Sequence, residues 1–293
     1  MLHDDTTVGA GSAAVRTAPA PGTTHLLTHV GGGGSRTYLL YVPAVLTDPA
    51  PLLVMLHGGT QNAADFAVGT GMNRLADEHG FVVVYPEQSR SANPAGYWNW
   101  FQPEDQQRGA GEPAIIAGIV GEVIAAHAID PARIFVAGLS AGGAMAEVMV
   151  ATYPDLFTRG GVHSGLPYGS ASDVGSAFAQ MSSGGFSPAP CPTPVLVLHG
   201  DRDSTVAVAN ASAVVQARLL AYPQASDGDV ERSSEGGRSF VRTTHRVDGR
   251  TVAASIIVAG GGHAWFGGDP KGSYTDPSGP DASAELVRFF LDD

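Results

Sequence analysis

The pentapeptide Gly138-Leu139-Ser140-Ala141-Gly142 constrains this chain more than any other stretch, because of what flanks it. Residues 133–137 (RIFVA) form a short apolar run suited to a buried parallel strand, and the stretch from Ala144 to Tyr153 reads as a helix. Gly-x-Ser-x-Gly between a strand and a helix predicts a tight, strained turn, with small residues at both ends letting the chain fold back on itself. Such a turn lifts the Ser140 hydroxyl clear of the sheet edge. It also sets the following backbone N–H groups at a helix N-terminus, where negative charge is stabilised. A serine hydroxyl is not nucleophilic unaided at neutral pH, so the reading turns on whether the chain supplies a base and an acid.

Strands and helices alternate along the rest of the sequence. Apolar runs at 52–56, 81–85, 160–163 and 195–198 predict further strands, and helices are expected near 72–79, 113–128, 141–153, 207–221 and 281–291. Glu112-Pro113 reads as a helix start with proline at the first helical position. Residues 25–30 and 36–42 read as a hairpin joined by 31–35, and 231–258 as a β-ribbon before the last helix. The pattern predicts an α/β fold, a mostly parallel sheet with helices on both faces. Residues 1–24, small, polar and proline-punctuated, are expected to be a disordered or loosely attached tail, and 25–293 a single domain. Residues 166–194, rich in Gly, Ser and Pro, are expected to be irregular and to border a site without forming a full lid domain.

At 293 residues and 43% apolar, the chain can bury one sizeable core. Its formal charge of −12, from 28 acidic and 16 basic side chains, argues against nucleic acid or an anionic membrane surface as partner. No run approaches the length of a membrane span, and the N-terminus lacks the basic-then-apolar layout of a signal peptide, so the compartment is left open. Cys191 is the only cysteine, which excludes an intramolecular disulfide and a thiolate metal cluster. No His/Asp/Glu grouping has helical metal-ligand spacing, and neither a metal nor another cofactor is expected.

In a sheet of this kind, reactive groups gather on loops at the carboxyl ends of strands. After 195–198 comes HGDRDSTV, with Asp201 and Asp203; after the ribbon comes VAGGGHAWFGG, with His263. Serine, then aspartate, then histidine is the chain order of an α/β-hydrolase fold. In that arrangement His263 takes the Ser140 proton and returns it to the leaving alcohol. The carboxylate holds the imidazole tautomer and stabilises its charged form. Residue spacing leaves Asp201 and Asp203 both open as that carboxylate.

The other nine histidines are weaker candidates for the base. His3, His25 and His29 lie in or beside the tail, and His79 and His127 at helix ends. His57 and His199 precede glycines at strand ends and read as hydrogen-bonded scaffold, His163 as a core histidine, and His245 as part of the ribbon. VMLHGGTQ follows the third strand, where hydrolases place a loop that donates one backbone N–H. The N–H groups of Gly59 and Ala141 are therefore the candidate oxyanion donors.

Beyond these motifs, the blocks LLVMLHGGTQNAADFAVGTGMNRLADEHGFVVVYPEQ, YWNWF, DQQRGAGEP, VAGLSAGGAMA, HSGLPYG, HGDRDSTV and GGHAW resemble the polyhydroxybutyrate depolymerase family of esterases. These are serine hydrolases related to feruloyl and acetylxylan esterases, and the similarity runs from about Ser35 to the C-terminus. The resemblance implies Ser140 as nucleophile and His263 as base. The family's strand-end pattern, His-Gly-x-x-Asp-x-Thr-Val, implies Asp203 as the acid, with Asp201 a neighbour. It also implies Trp98 and Trp100 beside the substrate groove, where the aromatics of NPAGYWNWF read as an apolar shelf for an extended chain. Tyr168 of HSGLPYG and Trp265 of GGHAW are the remaining candidate substrate contacts.

Two departures from the family pattern stand out. Many relatives carry a bridgeable cysteine pair where Gly59 and Tyr97 stand here, so the oxyanion loop is expected to lack a staple and to be more mobile. The separate substrate-binding and linker domains of polymer depolymerases are not in this sequence, which favours soluble oligomers, amorphous polyester or small esters. The expected function is serine-dependent hydrolysis of hydroxyalkanoate-type polyesters or oligomers through an acyl-enzyme. The alternatives are a feruloyl or acetylxylan esterase, an aromatic polyester hydrolase with the same triad and, more remotely, a non-catalytic hydrolase-fold binding protein.

Overall fold

A computed structural model describes residues 20–184, 186 and 189–291. Runs such as APLLVML and VLVLHG lack polar alternation, as strands covered on both faces do. They form β3 (Ala50–Leu56) and β7 (Val195–Gly200), in which every residue is buried. With β4 (Val82–Pro86), β5 (Ile129–Leu139), β6 (Arg159–His163) and β10 (Arg250–Val258) they make the parallel centre of a ten-stranded sheet, in the order β4-β3-β5-β6-β7-β10. An antiparallel hairpin, β1 (Thr23–Gly31) and β2 (Gly34–Val42), extends the β4 edge. The ribbon strands β8 (Asp229–Glu235) and β9 (Arg238–Val247) extend the β10 edge, also antiparallel. This mixed sheet with helices on both faces is the α/β fold expected from the sequence.

Side-chain alternation decides which helix covers which face. On β5, Ile134 and Val136 join a layer with Ile116 and Ile119 of α3 (Gly111–Ala126) and Met145 and Met149 of α4 (Ala141–Thr152). Phe135 and Ala137 join the opposite layer, with Phe66 of α1 (Ala63–Thr70), Leu75 of α2 (Met72–His79) and Phe290 of α7 (Ala282–Leu291). The Phe135 and Phe290 rings stack there at 4.8 Å. Val214 of α6 (Ala209–Ala221) packs over Val195 and Val197 of β7. A fully buried ion pair, Arg218 Nη1 to Glu147 Oε2 at 2.6 Å, ties α6 to α4.

Three local expectations change. α3 starts at Gly111, so Pro113 is its third residue and not its first. Residues 166–194 are not wholly irregular: they contain α5 (Val174–Ser183), started by a capping box between Asp173 and Ser176. The short helix α1, capped by the Asn62 side chain on Asp65 N–H, was also not expected. Of the expected tail, residues 1–19 lie outside the described residues, whereas Thr23 and Thr24 already pair with Val42 and Tyr41 in the hairpin. Among the described residues no helix is long and apolar enough to cross a membrane.

Candidate active site

The C-terminal ends of β3, β5, β7 and β10 deliver four loops to one edge of the sheet. At the end of β5 the backbone turns at Ser140 with φ 56° and ψ −119°, a left-handed conformation that costs a non-glycine residue about 1–3 kcal/mol. The turn survives because its neighbours take up no space. A Cβ on Gly142 would stand 2.0 Å from the Leu56 carbonyl oxygen, and one on Gly138 would stand 2.4 Å from the carbonyl of Gly142. Ser140 N–H donates to the His163 carbonyl at 2.8 Å, and Ser140 C=O accepts from Ala144 N–H as α4 begins. The Ser140 hydroxyl makes no hydrogen bond among the described residues, and 9% of the residue is exposed.

His263 arrives on the loop after β10. Its Nδ1–H donates to Asp203 Oδ2 at 2.7 Å, which leaves Nε2 as the free base nitrogen. Asp203 Oδ1 accepts the N–H groups of Thr205 and Val206, both at 2.8 Å, and its Oδ2 lies 3.4 Å from His199 Nε2. Burial pushes the Asp203 carboxyl up, but the His199 and His263 hydrogen bonds, the His263 charge and Val206 N–H outweigh it. Together they hold its pKa well below the usual carboxylate range. Asp201 points elsewhere: its Oδ1 accepts Gly260 N–H at 2.7 Å, which braces the loop that carries His263. Of the two aspartates left open by spacing, only Asp203 meets the histidine.

Three further histidines, His57, His163 and His199, are buried around these loops. His57 Nδ1–H donates to the Gly58 carbonyl at 2.7 Å and Nε2 accepts Gln88 N–H at 3.0 Å; burial lowers its pKa and keeps the ring neutral. His163 is buried beneath the site, its ring stacked on Trp265 at 5.0 Å. Burial, then the neighbouring His199 and His263, hold its pKa well below the ordinary value. His199 donates from Nε2 to the Val206 carbonyl at 2.9 Å.

Gly59 follows β3, and neither its N–H nor that of Ala141 has an acceptor among the described residues. Two unpaired backbone donors beside a serine elbow are suited to a carbonyl oxygen that gains negative charge. The Tyr97 ring packs on Gly59.

The aromatic shelf expected from the sequence is corrected. Trp98 is fully buried, its Nε1–H donating to the His57 carbonyl at 3.1 Å, so it supports the loop after β3 from inside. Trp100 is also in the core, edge-on to Phe101 at 5.6 Å. Trp265 is buried too, bonded to Ser283 Oγ and packed on Phe66 and His163. Tyr168 is half-buried with its hydroxyl donated to the Gln106 carbonyl. Exposed rings at the loop after β3 are instead Tyr97 and Tyr274, 39% and 48% exposed, with the Tyr274 hydroxyl 3.1 Å from Thr60 Oγ1. Sequence reading missed Tyr274, whose isolated position in KGSYTD carries no periodic signal.

Comparison with known proteins bears on this site. The family model described as Esterase PHB depolymerase matches residues 36–235, which include Ser140 and Asp203. The chain is 40% identical over 198 residues to poly(3-hydroxyalkanoate) depolymerase C of Paucimonas lemoignei, covering 62% of this chain and 48% of that protein. It is 34% identical over 138 residues to feruloyl esterase B of Neurospora crassa, covering 47% of this chain and 46% of that one. The chain thus spans about half the length of these curated relatives. Among solved structures, acetyl xylan esterase from Aspergillus awamori superposes with a TM-score of 0.72 at 19% identity, over 92% of this chain and 99% of that one. At that identity the likeness establishes the shared fold.

Proposed function

The chain belongs to the PHB depolymerase family of esterases, and on that premise we propose that it hydrolyses carboxylic esters through an acyl-enzyme on Ser140. The observation that carries the reading is the His263–Asp203 hydrogen bond of 2.7 Å, on loops that leave the same edge of the sheet as the strained turn at Ser140. Ser140 Oγ attacks the ester carbonyl carbon while His263 Nε2 accepts its proton, and Asp203 stabilises the imidazolium. The carbonyl oxygen, now negative, is held by the N–H groups of Gly59 and Ala141. Collapse expels the alcohol, which takes the proton from His263. Water, deprotonated by the same nitrogen, then releases the acid and restores Ser140.

The proposed substrates are hydroxyalkanoate oligomers or polyester, in line with the similarity to a poly(3-hydroxyalkanoate) depolymerase. A second reading, feruloyl or acetyl esters on carbohydrate, is favoured by the similarity to feruloyl and acetylxylan esterases. One panel tests both: 3-hydroxybutyrate oligomers, ethyl ferulate, acetylated xylan and p-nitrophenyl esters, each with the wild type and Ser140→Ala. The leading reading expects the highest kcat/KM on the oligomers and loss of all activity in Ser140→Ala. A preference for ferulate or acetylxylan transfers the substrate assignment to the second reading, and an active Ser140→Ala removes the nucleophile.

A further inference from the structure

Glu112, near the start of α3, is almost fully buried, and no step of the proposed reaction uses it. Its Oε1 accepts hydrogen bonds from Gln88 Nε2, from Asn99 Nδ2 at 2.9 Å and from Arg36 Nη2 at 3.4 Å; its Oε2 accepts Asn99 N–H at 2.8 Å. Every one of these partners is a donor. A carboxylate accepts them all, whereas a protonated carboxyl would turn an O–H toward one of them and break that contact.

These partners lead to the oxyanion loop. The Gln88 backbone N–H bonds His57 Nε2, and its side chain also donates to the Tyr97 carbonyl at 2.8 Å. Trp98, next to Asn99, bonds the His57 carbonyl, and the Tyr97 ring bears on Gly59. The segment 97–99 is therefore pinned on one side by Glu112 and pins His57 and Gly59 on the other.

We propose that Glu112 is a positioning residue for the oxyanion donor: its ionised carboxylate fixes Gln88 and the 97–99 segment, and these fix His57 and Gly59, so that turnover requires Glu112 deprotonated as well as His263. The inference rests on the proposed role of Gly59 as an oxyanion donor. The charged groups that face Glu112 are Arg36 from β2 and Asp105 from the 3-10 turn Pro103–Gln106, whose Oδ1 accepts Glu112 N–H at 2.7 Å. Burial first, then the Asp105 charge, push the Glu112 carboxyl up to about 7, against the opposing pull of Gln88, Asn99 and Arg36. Glu112 thus titrates in the same range as an ordinary histidine, about 6.5.

The test is the acid limb of kcat on p-nitrophenyl acetate, with each protein also labelled by an organophosphonate. In the wild type, log kcat should fall with a slope approaching two as two protons bind. Glu112→Gln should reduce that slope to one and lower kcat about tenfold at alkaline pH, with KM changed less than about twofold. Arg36→Met removes a cation that favours the carboxylate, so the limb should move to higher pH. A slope of one in the wild type, an unchanged slope of two in Glu112→Gln, or an unmoved limb in Arg36→Met overturns the proposal. Should Glu112→Gln fail to fold by circular dichroism, the wild-type slope and the Arg36→Met shift decide the matter. A wild type that is inactive and unlabelled at Ser140 refutes the hydrolase reading itself. A labelled, active enzyme with a single-proton limb refutes only the role of Glu112.

Discussion

The Tyr97 ring occupies the space that any side chain on residue 59 would need: a Cβ built on Gly59 would lie 2.1 Å from Tyr97 Cε1 and 2.3 Å from Cδ1. An alanine at 59 must therefore displace the ring or the loop that presents the Gly59 N–H. Misplacing an oxyanion donor is expected to lower kcat of Gly59→Ala about a hundredfold. Because the three nearest atoms all belong to the Tyr97 ring, Gly59→Ala/Tyr97→Ala should recover to within about tenfold of Tyr97→Ala alone. A double variant as inactive as Gly59→Ala, measured on p-nitrophenyl acetate, would mean that the ring is not what holds the loop in place.

Asp203 and Asp201 are two residues apart and do different work. Asp203 receives His263 Nδ1, whereas Asp201 receives the Gly260 N–H. Replacing Asp203 by Asn offers His263 an amide that neither enforces the tautomer nor stabilises the imidazolium, a loss of about 10⁴ in kcat. Asp201→Asn keeps an acceptor oxygen for Gly260 and should cost less than about tenfold. Stopped-flow or steady-state kcat on a soluble ester ranks the two; equal losses would show that the loop brace matters as much as the carboxylate.

The gathering of Ser140, His263 and the Asp201/Asp203 pair at one sheet edge was legible in the sequence because each ends or follows an apolar strand, and parallel strands bring their carboxyl ends together; the choice of Asp203 came only from the family resemblance. The fate of the indoles was not legible. Trp98 is buried by its bond to the carbonyl of His57, 41 residues away in the chain, and loop side chains follow no two-residue alternation that would reveal it. The role of Glu112 is hidden for the same reason, since its partners come from β2, the segment after β4 and the Asn99 loop. Helix α5 did leave a local mark, the Asp173–Ser176 capping box, inside a stretch dominated by Gly, Ser and Pro.

Buried neutral histidines should make the fold acid-sensitive. Burial lowers the pKa of both His57 and His163 below the 6.5 of an exposed ring. The unfolded chain therefore takes up protons first, so the stability these residues contribute is complete above about pH 7 and is lost as pH falls below 6.5 toward their folded pKa values. Glu112, raised to about 7, acts in the opposite sense: its contribution is present at acid pH and is lost as pH rises through 7. His163→Gln isolates one histidine. The unfolding free energy of the wild type minus that of the variant should be largest near pH 8 and shrink toward pH 5. A difference that stays constant with pH would mean that His163 has the same pKa in the folded and unfolded chain, and one that grows toward acid pH would mean that the folded ring carries the proton.

Trp98 and Trp100 offer the sharpest contrast between a groove and a core. In a groove, truncation of Trp100 would weaken long substrates more than short ones. In the core, it removes packing and leaves a cavity, so the loss falls on stability. Trp100 packs in the layer that holds Ile115 and Trp98, and Trp98 also satisfies the His57 carbonyl. Trp100→Ala should thus lower stability by about 3–5 kcal/mol and reduce kcat/KM for p-nitrophenyl acetate and for hydroxybutyrate oligomers by the same factor. Trp98→Phe keeps most of the volume but leaves that carbonyl without its donor. It should cost about 1–3 kcal/mol and lower kcat more than its loss of stability alone requires, because the oxyanion loop loses an anchor. Denaturant unfolding together with kinetics on both esters separates the cases. A stable Trp100→Ala that discriminates against oligomers would return this indole to the substrate groove.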